Sequence, residues 1–416
     1  MARNWAGTYT YRAPRIAVAE SIDDVRRLVA AGGPVHALGT RHSFTDLPDT
    51  DGTLIDVTRI DPAFRLDEDA ATVTVGAGTR YGELAVWLED RGWALGNLGS
   101  LPHINVGGAT ATGTHGSGDR NGVLSAAVRG LHYVGADGDM HEVRRGDADF
   151  PALAVGLGAF GIVVSLTLDV QPTFRMRQDI YTGISWSAAL AGYDELTAAG
   201  YSVSLFTRWE DDSIGHAWVK TRLDADDDPV ADTLLDGVRA VGGESPLSGA
   251  DNVTELAGVP GSWLARLPHF RLDAEPSFGD EIQSEYFVDR ADAPAALRAV
   301  RELGDGIRPH LIVSELRTAA ADELWLSAAY RRDVVAIHFT WHNHPDQVAA
   351  LLPTIEAALA PFGARPHWGK AHRFDRAAMA RVHPRLADAR AVYERLDPHG
   401  RFVNDHLVRV GVREPR

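Results

Sequence analysis

Two rhythms of apolar and polar positions run through the chain. Val25, Leu28 and Val29 recur at helical spacing behind Ser21-Ile-Asp-Asp24, a capping-box pattern, and predict a helix to about Ala31. Pro34-Val35-His36-Ala37 is a short apolar run and predicts a strand that ends at Leu38. Thr53-Leu-Ile-Asp-Val57 and Ala71-Thr-Val-Thr-Val75 alternate and are rich in β-branched residues, as strands are. Gly76-Ala-Gly78 then turns the chain into a predicted helix from Tyr81 to Arg91. Gly130 to Gly135 and Ile162 to Val170 are further strand patterns, the first ending in the turn Ala136-Asp-Gly138. Between Leu98 and Gly122 neither rhythm holds. Gly, Ser, Thr, Asn and His dominate there, over a stretch too long for an ordinary connection, which marks a functional loop.

Pro172 is a plausible boundary. Beyond it Ser202 to Phe206, Ala217 to Thr221, Ile312 to Arg317 and Val334 to Thr340 read as strands. Pro294 to Leu303 and Pro345 to Leu359 read as helices, and the Asp-, Gly- and Ala-rich stretch Arg222 to Ser262 as surface covering. The pattern is α+β with an antiparallel sheet in the second half. A chain of 416 residues exceeds one small core, so two domains are expected.

Composition narrows the partners. With 57 acidic and 41 basic residues the net charge is -16, which repels nucleic-acid backbones. The absence of cysteine excludes disulfides, thiolate nucleophiles, iron–sulfur clusters and Cys-zinc sites. The opening Met-Ala-Arg-Asn-Trp-Ala-Gly lacks the apolar core of a secretory signal, and no run of about 18 apolar residues occurs. The expectation is a cytoplasmic protein.

Chemistry concentrates in a few segments. Leu38-Gly-Thr-Arg-His-Ser-Phe44 is a tight turn at a strand end, where successive backbone N–H groups can hold a pyrophosphate. Its imidazole, His42, could be tethered covalently to a cofactor over the loop. Gly107-Gly108 and Thr112-Gly-Thr-His-Gly-Ser-Gly118 form a second glycine-rich region that lets a flat ring and a phosphate approach the backbone. Gly156-Leu-Gly-Ala-Phe-Gly161 satisfies the dinucleotide fingerprint, but a strand pattern follows it where a helix should. Gly76 to Gly82 has the strand-then-helix context, with its last glycine one place late. Tight turns explain both better than a nicotinamide site does. Glu315 and Arg317 point to one face of a predicted strand, and His338 and Thr340 repeat the alternation on another. Should the two strands be neighbours, four polar groups share a face, which is costly in a core and suits a polyol pocket. His367-Trp-Gly-Lys370 places a lysine among aromatic residues, where its pKa falls and it can move protons. His342, His344 and His372 match no zinc spacing and read as surface residues, so no metal is expected.

These segments, with Gly99-Ser-Leu-Pro-His-Ile104 and Arg365-Pro-His-Trp-Gly-Lys370, resemble in order and number the vanillyl-alcohol-oxidase-type flavoproteins, and most closely their alditol-oxidising branch. The resemblance implies the two-domain FAD fold of the p-cresol methylhydroxylase class, with an antiparallel-sheet substrate domain. An FAD domain of about 1–174 would be completed by 372–416, with a substrate domain of 175–371 between. It implies covalent FAD through His42, a cradle of Ala37, Leu38, Gly39, Thr40, Arg41 and Ser43, and further cofactor contacts from Ser100, Asn105, Gly108, Thr112, Gly113, Thr114, His115, Val163 and His367. Asn105 stands where the family pattern has serine. The substrate would meet Ser100, Glu315, Arg317, His338, Thr340 and Lys370. Of these Arg317 and Lys370 would stabilise developing alkoxide charge, Lys370 would take the hydroxyl proton, Glu315 would accept from a neighbouring hydroxyl, and His338 would help fix the chain.

The implied activity is oxidation of a terminal CH–OH of a linear polyol such as xylitol or sorbitol, by hydride transfer to flavin N5 and reoxidation by O2 to hydrogen peroxide. A sugar-lactone oxidase or dehydrogenase of the gulonolactone type is the alternative on the same fold. A nicotinamide dehydrogenase and a non-catalytic flavin- or sugar-binding protein are the rivals outside it. The expected form is a monomer, with neither nucleic acid nor membrane as partner.

Overall fold

The computed structural model describes residues 2–210, 212–240, 252–275, 277 and 279–416. Ser21 caps the helix Ile22–Ala30 in a two-way capping box with Asp24, and buried Val25 and Val29 turn it onto a small parallel sheet. In that sheet Thr53–Asp56 lies between Arg15–Val18 and Val35–Leu38, with Leu54 and Ile55 fully buried, as parallel strands require. Its consequence for the site is simple: Val35–Leu38 ends at the edge of a cleft, and the turn carrying His42 begins there.

A second sheet is antiparallel and five-stranded, in the order Arg65–Asp67, Thr72–Gly76, Ile162–Asp169, Val128–Val134, Met140–Arg144. Met140–Arg144 was not read as a strand; it is an exposed edge with alternate charged residues, so its apolar signal is one buried valine, Val143. Thr72–Gly76 pairs antiparallel with both neighbours, so the Gly76 to Gly82 segment is not part of a parallel dinucleotide unit. A Cβ on Gly78 would lie 2.1 Å from Val57 O, and one on Gly82 2.5 Å from Leu272. These glycines serve close packing, and no phosphate fits against them. The Gly156 to Gly161 segment lies between the short helix Phe150–Leu153 and the strand Ile162–Asp169, again without the fingerprint's context.

The large sheet is antiparallel and has ten strands. Its centre runs Arg175–Thr182, His216–Leu223, Ser202–Thr207, Leu311–Ala319, Val334–His342, Glu281–Asp289, with Arg365–Pro366 at the far edge. Helices Ala293–Arg301 and Pro345–Leu359 cover one face through Leu297, Val300, Val348 and Ile355. The other face looks into the cleft. Two central strands, Arg175–Thr182 and Glu281–Asp289, escaped the sequence reading because both carry charged residues that are buried (Arg177, Asp179, Glu281, Glu285). The Leu98 to Gly122 stretch holds one short helix, Val106–Ala111. Of the Arg222 to Ser262 covering, 241–251 lie outside the described residues; the rest includes short edge ladders at Thr233–Leu234, Gly237–Arg239 and Gly261–Ser262.

The C-terminal segment returns to the N-terminal sheets. Phe402 packs with Val25, Val35 and Ile55, and Tyr393 Oη donates to Ala152 O at 2.6 Å. Arg413, fully buried, binds Asp397 at 3.0 Å, Glu394 at 3.0 Å and Ala159 O at 2.5 Å. Removing one partner of such a buried pair leaves an uncompensated charge and costs about 3–5 kcal/mol. Arg413→Met should therefore lower the thermal unfolding midpoint by several degrees; a midpoint equal to the parent's would show that this anchor carries no stability.

Candidate active site

The first wall of the cleft is backbone. A Cβ on Gly39 would sit 2.2 Å from Asn105 Oδ1, so only glycine allows the turn to meet the next loop here. Thr40 donates to Asn105 Oδ1 through its N–H (3.1 Å) and its hydroxyl (3.2 Å), and Asn105 Nδ2 donates to Ala77 O at 2.9 Å. The Asn105 side chain thus ties three turns together. Arg41 is left-handed at φ 66°, a conformation that turns successive N–H groups to one side. Among the described residues the N–H groups of Arg41, His42 and Ser43 have no acceptor. His42 stacks on Trp5, its Nδ1 bonds Thr40 Oγ1 at 3.1 Å, and its buried Nε2 has no partner among the described residues. Burial pushes this imidazole down to about 4, which keeps it neutral. A neutral ring with an uncommitted nitrogen, beside a row of free N–H groups, fits a histidyl-linked dinucleotide.

The second wall is side chains on the large sheet. Register sets Glu285 beside His338 and His338 beside Glu315, in one row across three strands. Thr340 and Gln283 form the next row. The expected neighbour relation of the Glu315 and His338 strands is therefore present. The segment from His367 to Lys370 runs along Glu281–Asp289: His367 N–H donates to Glu285 O at 3.0 Å and Ala371 N–H to Gln283 O at 2.8 Å. Trp368 is buried and donates to Leu326 O at 2.8 Å, which fixes the turn that presents Lys370.

Glu285 is the centre of this wall, and the sequence reading missed it. Its carboxylate lies 2.9 Å from Arg317 Nη2, 2.8 Å from Lys370 Nζ and 3.3 Å from His115 Nε2. Burial favours its neutral form, but Lys370, His115 and Arg317 outweigh that and hold the carboxyl well below its usual range. Arg317 Nη1 also donates to Ser100 Oγ at 3.1 Å, while its buried Nε has no hydrogen-bond partner among the described residues. Lys370 donates to Glu285 and to His338 Nδ1 at 3.0 Å; His338 Nε2 then meets Thr340 Oγ1 at 3.0 Å. Burial lowers Lys370 from its ordinary value, with Glu285 opposing, and pushes His338 well below the ordinary imidazole range, reinforced by Lys370. Glu315 is held down by Arg317 and His269 against its burial. His269, also missed, reaches Glu315 Oε1 at 2.6 Å.

The two walls enclose about 1840 Å³ of empty space, counting the open mouth. Of the expected site residues, all line it except Gly113, which makes the turn behind Thr112 and Thr114 at φ 65°. His367 Nδ1 accepts from Gly369 N–H, so its Nε2 carries the hydrogen and faces Thr114 Oγ1 at 3.4 Å. The walls are joined directly, since Gly369 O accepts both Phe44 N–H (2.7 Å) and Ser43 Oγ (3.2 Å). Outside the cleft His342 and His344 are exposed, whereas His372 is half-buried against His406, which corrects its placement on the surface. No group of three or more His, Cys, Asp or Glu side chains placed to hold a metal ion occurs among the described residues, and none of their helices is long and apolar enough to cross a membrane.

The fold is shared with oxidases of known structure. The cholesterol oxidase of B. sterolicum superposes over 98% of this chain and 96% of its own with a TM-score of 0.79 at 17% identity. The xylooligosaccharide oxidase of Myceliophthora thermophila does so over 100% and 94%, with a TM-score of 0.75 at 17% identity. Residues 13–144 match the FAD binding domain family, and residues 278–410 match the D-arabinono-1,4-lactone oxidase family. Fold and matches define a two-domain, FAD-binding oxidoreductase of the vanillyl-alcohol-oxidase type. An alditol oxidase from Streptomyces is 42% identical over 97% of both chains, whereas an L-gulono-1,4-lactone dehydrogenase from Mycobacterium tuberculosis is 29% identical over 94% of both. The chain belongs to the alditol oxidase family.

The buried imidazoles carry a pH signature. His269 is held near 4 by burial, reinforced by Lys220, against an ordinary value of 6.5. Its contribution to stability is intact above about pH 6.5 and is lost as pH falls toward about 4, because only the unfolded imidazole takes up a proton in that window. Urea unfolding should show a decline in stability between about pH 7 and pH 5 that is shallower in His269→Gln by roughly one proton; an equal decline in both proteins would remove His269 from the effect.

Proposed function

We propose that this protein oxidises the terminal CH–OH of linear polyols, with xylitol and sorbitol as leading substrates, to the aldose, using FAD held covalently through His42 and O2 as acceptor. The single observation that carries the reading is the row Glu285, His338 and Glu315 with Arg317 and Lys370. It is a buried, charge-balanced polar wall facing a cleft whose other wall is bare backbone. The first wall, with Asn105 bracing its turns, would hold the pyrophosphate and flavin, and His367 would face the ring system. Residues 1–174 with 372–416 would form the cofactor domain and 175–371 the substrate domain, in keeping with the C-terminal contacts to the N-terminal sheets. When bound, FAD supplies a two-electron acceptor for the hydride of the carbinol carbon and returns the electrons to O2 as hydrogen peroxide.

The protein's own part is binding and proton transfer. As an amine Lys370 has two hydrogens, which Glu285 and His338 engage, and a lone pair that remains for the substrate hydroxyl. Burial lowers its pKa toward this form. The hydroxyl proton passes to Nζ, and the new ammonium is paired at once with Glu285. Arg317 stands beside the developing negative charge, already oriented by Glu285 and Ser100, so no reorganisation is needed. Glu315, held ionised, accepts a hydrogen bond from the hydroxyl next to the reacting carbon. Ser100, His338 and Thr340 orient the rest of the chain.

Steady-state oxygen uptake with xylitol, sorbitol, glycerol and a gulonolactone tests the substrate class; a lactone preferred over every polyol would overturn it and favour the alternative. Acid-denatured protein on a gel should retain flavin fluorescence, and His42→Ala should lose it; a band dark in the parent protein sinks the covalent link. Lys370→Met should lower kcat by about 100-fold or more with flavin content unchanged, the usual scale for a lost proton acceptor. Normal turnover in that variant would exclude the lysine from proton transfer.

A further inference from the structure

Lys220 lies in the middle of the strand His216–Leu223, is fully buried, and has no part in the reaction as derived. Its Nζ is 2.5 Å from Leu267 O, 3.2 Å from Pro268 O and 3.0 Å from His269 Nδ1. The two carbonyls can only accept. Burial lowers this lysine to about 7, with Glu315 opposing; in its ammonium form three hydrogens match the three acceptors around Nζ, and His269 Nδ1 then accepts as well. The imidazole hydrogen is then on Nε2, which donates to Glu315 Oε1 at 2.6 Å. The other contact of this carboxylate, Arg317 Nε at 3.5 Å, is also to Oε1. Oε2 has no hydrogen-bond partner among the described residues, and Glu315 lines the cleft.

The arrangement also has a charge logic. Arg317 and Lys370 are balanced by Glu285 and Glu315, and all four sit within one buried network. In its ammonium form Lys220 adds a third positive charge behind Glu315, which Arg317 and His269 already hold ionised. It cannot pair with Glu315 directly, because His269 stands between them.

We propose that Lys220 is a positioning residue for polyol recognition: through His269 it fixes the imidazole tautomer that grips Glu315 Oε1, and so leaves Oε2 as a fixed anionic acceptor for a substrate hydroxyl. The proposal rests on the polyol reading of the cleft. Its chemistry makes Lys220 a determinant of KM, since it acts on binding of a hydroxyl that does not react. Lys220→Met keeps the length and removes the charge. His269 then loses the donor that selects its tautomer, and Glu315 loses a fixed partner.

The test combines kinetics with histidine nitrogen NMR. In flavin-loaded Lys220→Met the KM for xylitol should rise about tenfold or more, the scale of one hydrogen bond to a charged group, while kcat stays within about threefold. In a Glu315→Gln background the same substitution should change KM by less than about twofold, because the group it acts through is gone. An unchanged KM in the single variant, or an equal penalty in both backgrounds, overturns the proposal. The NMR arm needs no substrate and no folded variant at residue 220. In the parent protein His269, assigned by loss of its signals in His269→Gln, should show an unprotonated Nδ1 and a protonated Nε2. The opposite tautomer overturns the proposal even if xylitol is a good substrate. Failure of xylitol and every other polyol to turn over, with the expected tautomer present, strikes the functional reading instead and leaves the Lys220–His269–Glu315 geometry standing.

Discussion

A single buried carboxylate, Glu285, holds the reactive side of this molecule in place. Arg317 and Lys370 come from different parts of the chain and would repel each other across a dry cleft. Glu285 lies between them, within 2.9 Å of both, and its own charge is stabilised by the two cations it separates. When Lys370 is protonated, the desolvation of three charges is offset because each is bonded more than once: Arg317 also to Ser100, Lys370 also to His338, and Glu285 to both cations. Removing Glu285 would leave Arg317 and Lys370 buried without their shared counter-charge. The charges of Glu285 and Arg317 are thus in place before the substrate arrives, and Glu285 is ready to pair the ammonium that forms on Lys370.

The rest of the architecture keeps the two walls of the cleft in register. Gly369 O, one residue before Lys370, accepts from Phe44 and Ser43, next to His42. The lysine proposed to accept the proton and the turn proposed to carry the flavin are therefore tied by two hydrogen bonds through one carbonyl. Asn105 does the same on the backbone wall, joining the Thr40 turn to Ala77 and the start of the helix Val106–Ala111. A cofactor gripped by one wall and a substrate gripped by the other would be positioned through these few bonds, without any long-range adjustment.

Much of this was legible in the chain, and the failures have physical reasons. The His42 turn was weak taken alone, since a histidine in a turn is an ordinary surface residue, and it gained weight only from the order of the other motifs; the turn does line the cleft. Glu315, Arg317, His338 and Thr340 were readable because their two-residue period set polar groups on one face of strands that are otherwise apolar. Glu285 has the same period, in Glu281-Ile-Gln-Ser-Glu-Tyr-Phe-Val-Asp289, yet its strand was not recognised. There the polar face is turned inward to the cleft, so the alternation that marks a solvent face in other strands here marks a buried one. Lys220 fell on a strand that was read correctly, but an isolated lysine in a strand reads as an exposed edge residue. Only the carbonyls of Leu267 and Pro268 reveal it as buried, and they come from an irregular stretch that has no periodic signal. Long-range pairing of charges is the part of a fold that local patterns carry least.

The division of labour between the walls has a consequence for specificity. Backbone N–H groups can hold a phosphate with little help from side chains, so the proposed cofactor wall depends chiefly on its glycines, on Asn105 and on His42. On the proposed substrate wall Glu285, Glu315, Arg317, His338 and Thr340 are side chains on a sheet face, where register fixes each one, while Ser100 and Lys370 come from loops. Phe206 pairs with Glu315 in the same row that holds His338 and Glu285, and Val313 lies beside Thr340 in the next. Both line the cleft. The row therefore passes from charged groups at Glu285 to an aromatic ring at Phe206, and the cleft changes from polar to apolar along it. A hydroxyl of an open-chain polyol that reached Phe206 would find no partner there and would lose its water, which costs more than an apolar contact returns. The place along this row where polar side chains give way to Phe206 and Val313 therefore bounds how far a polyol chain can be matched by hydrogen bonds.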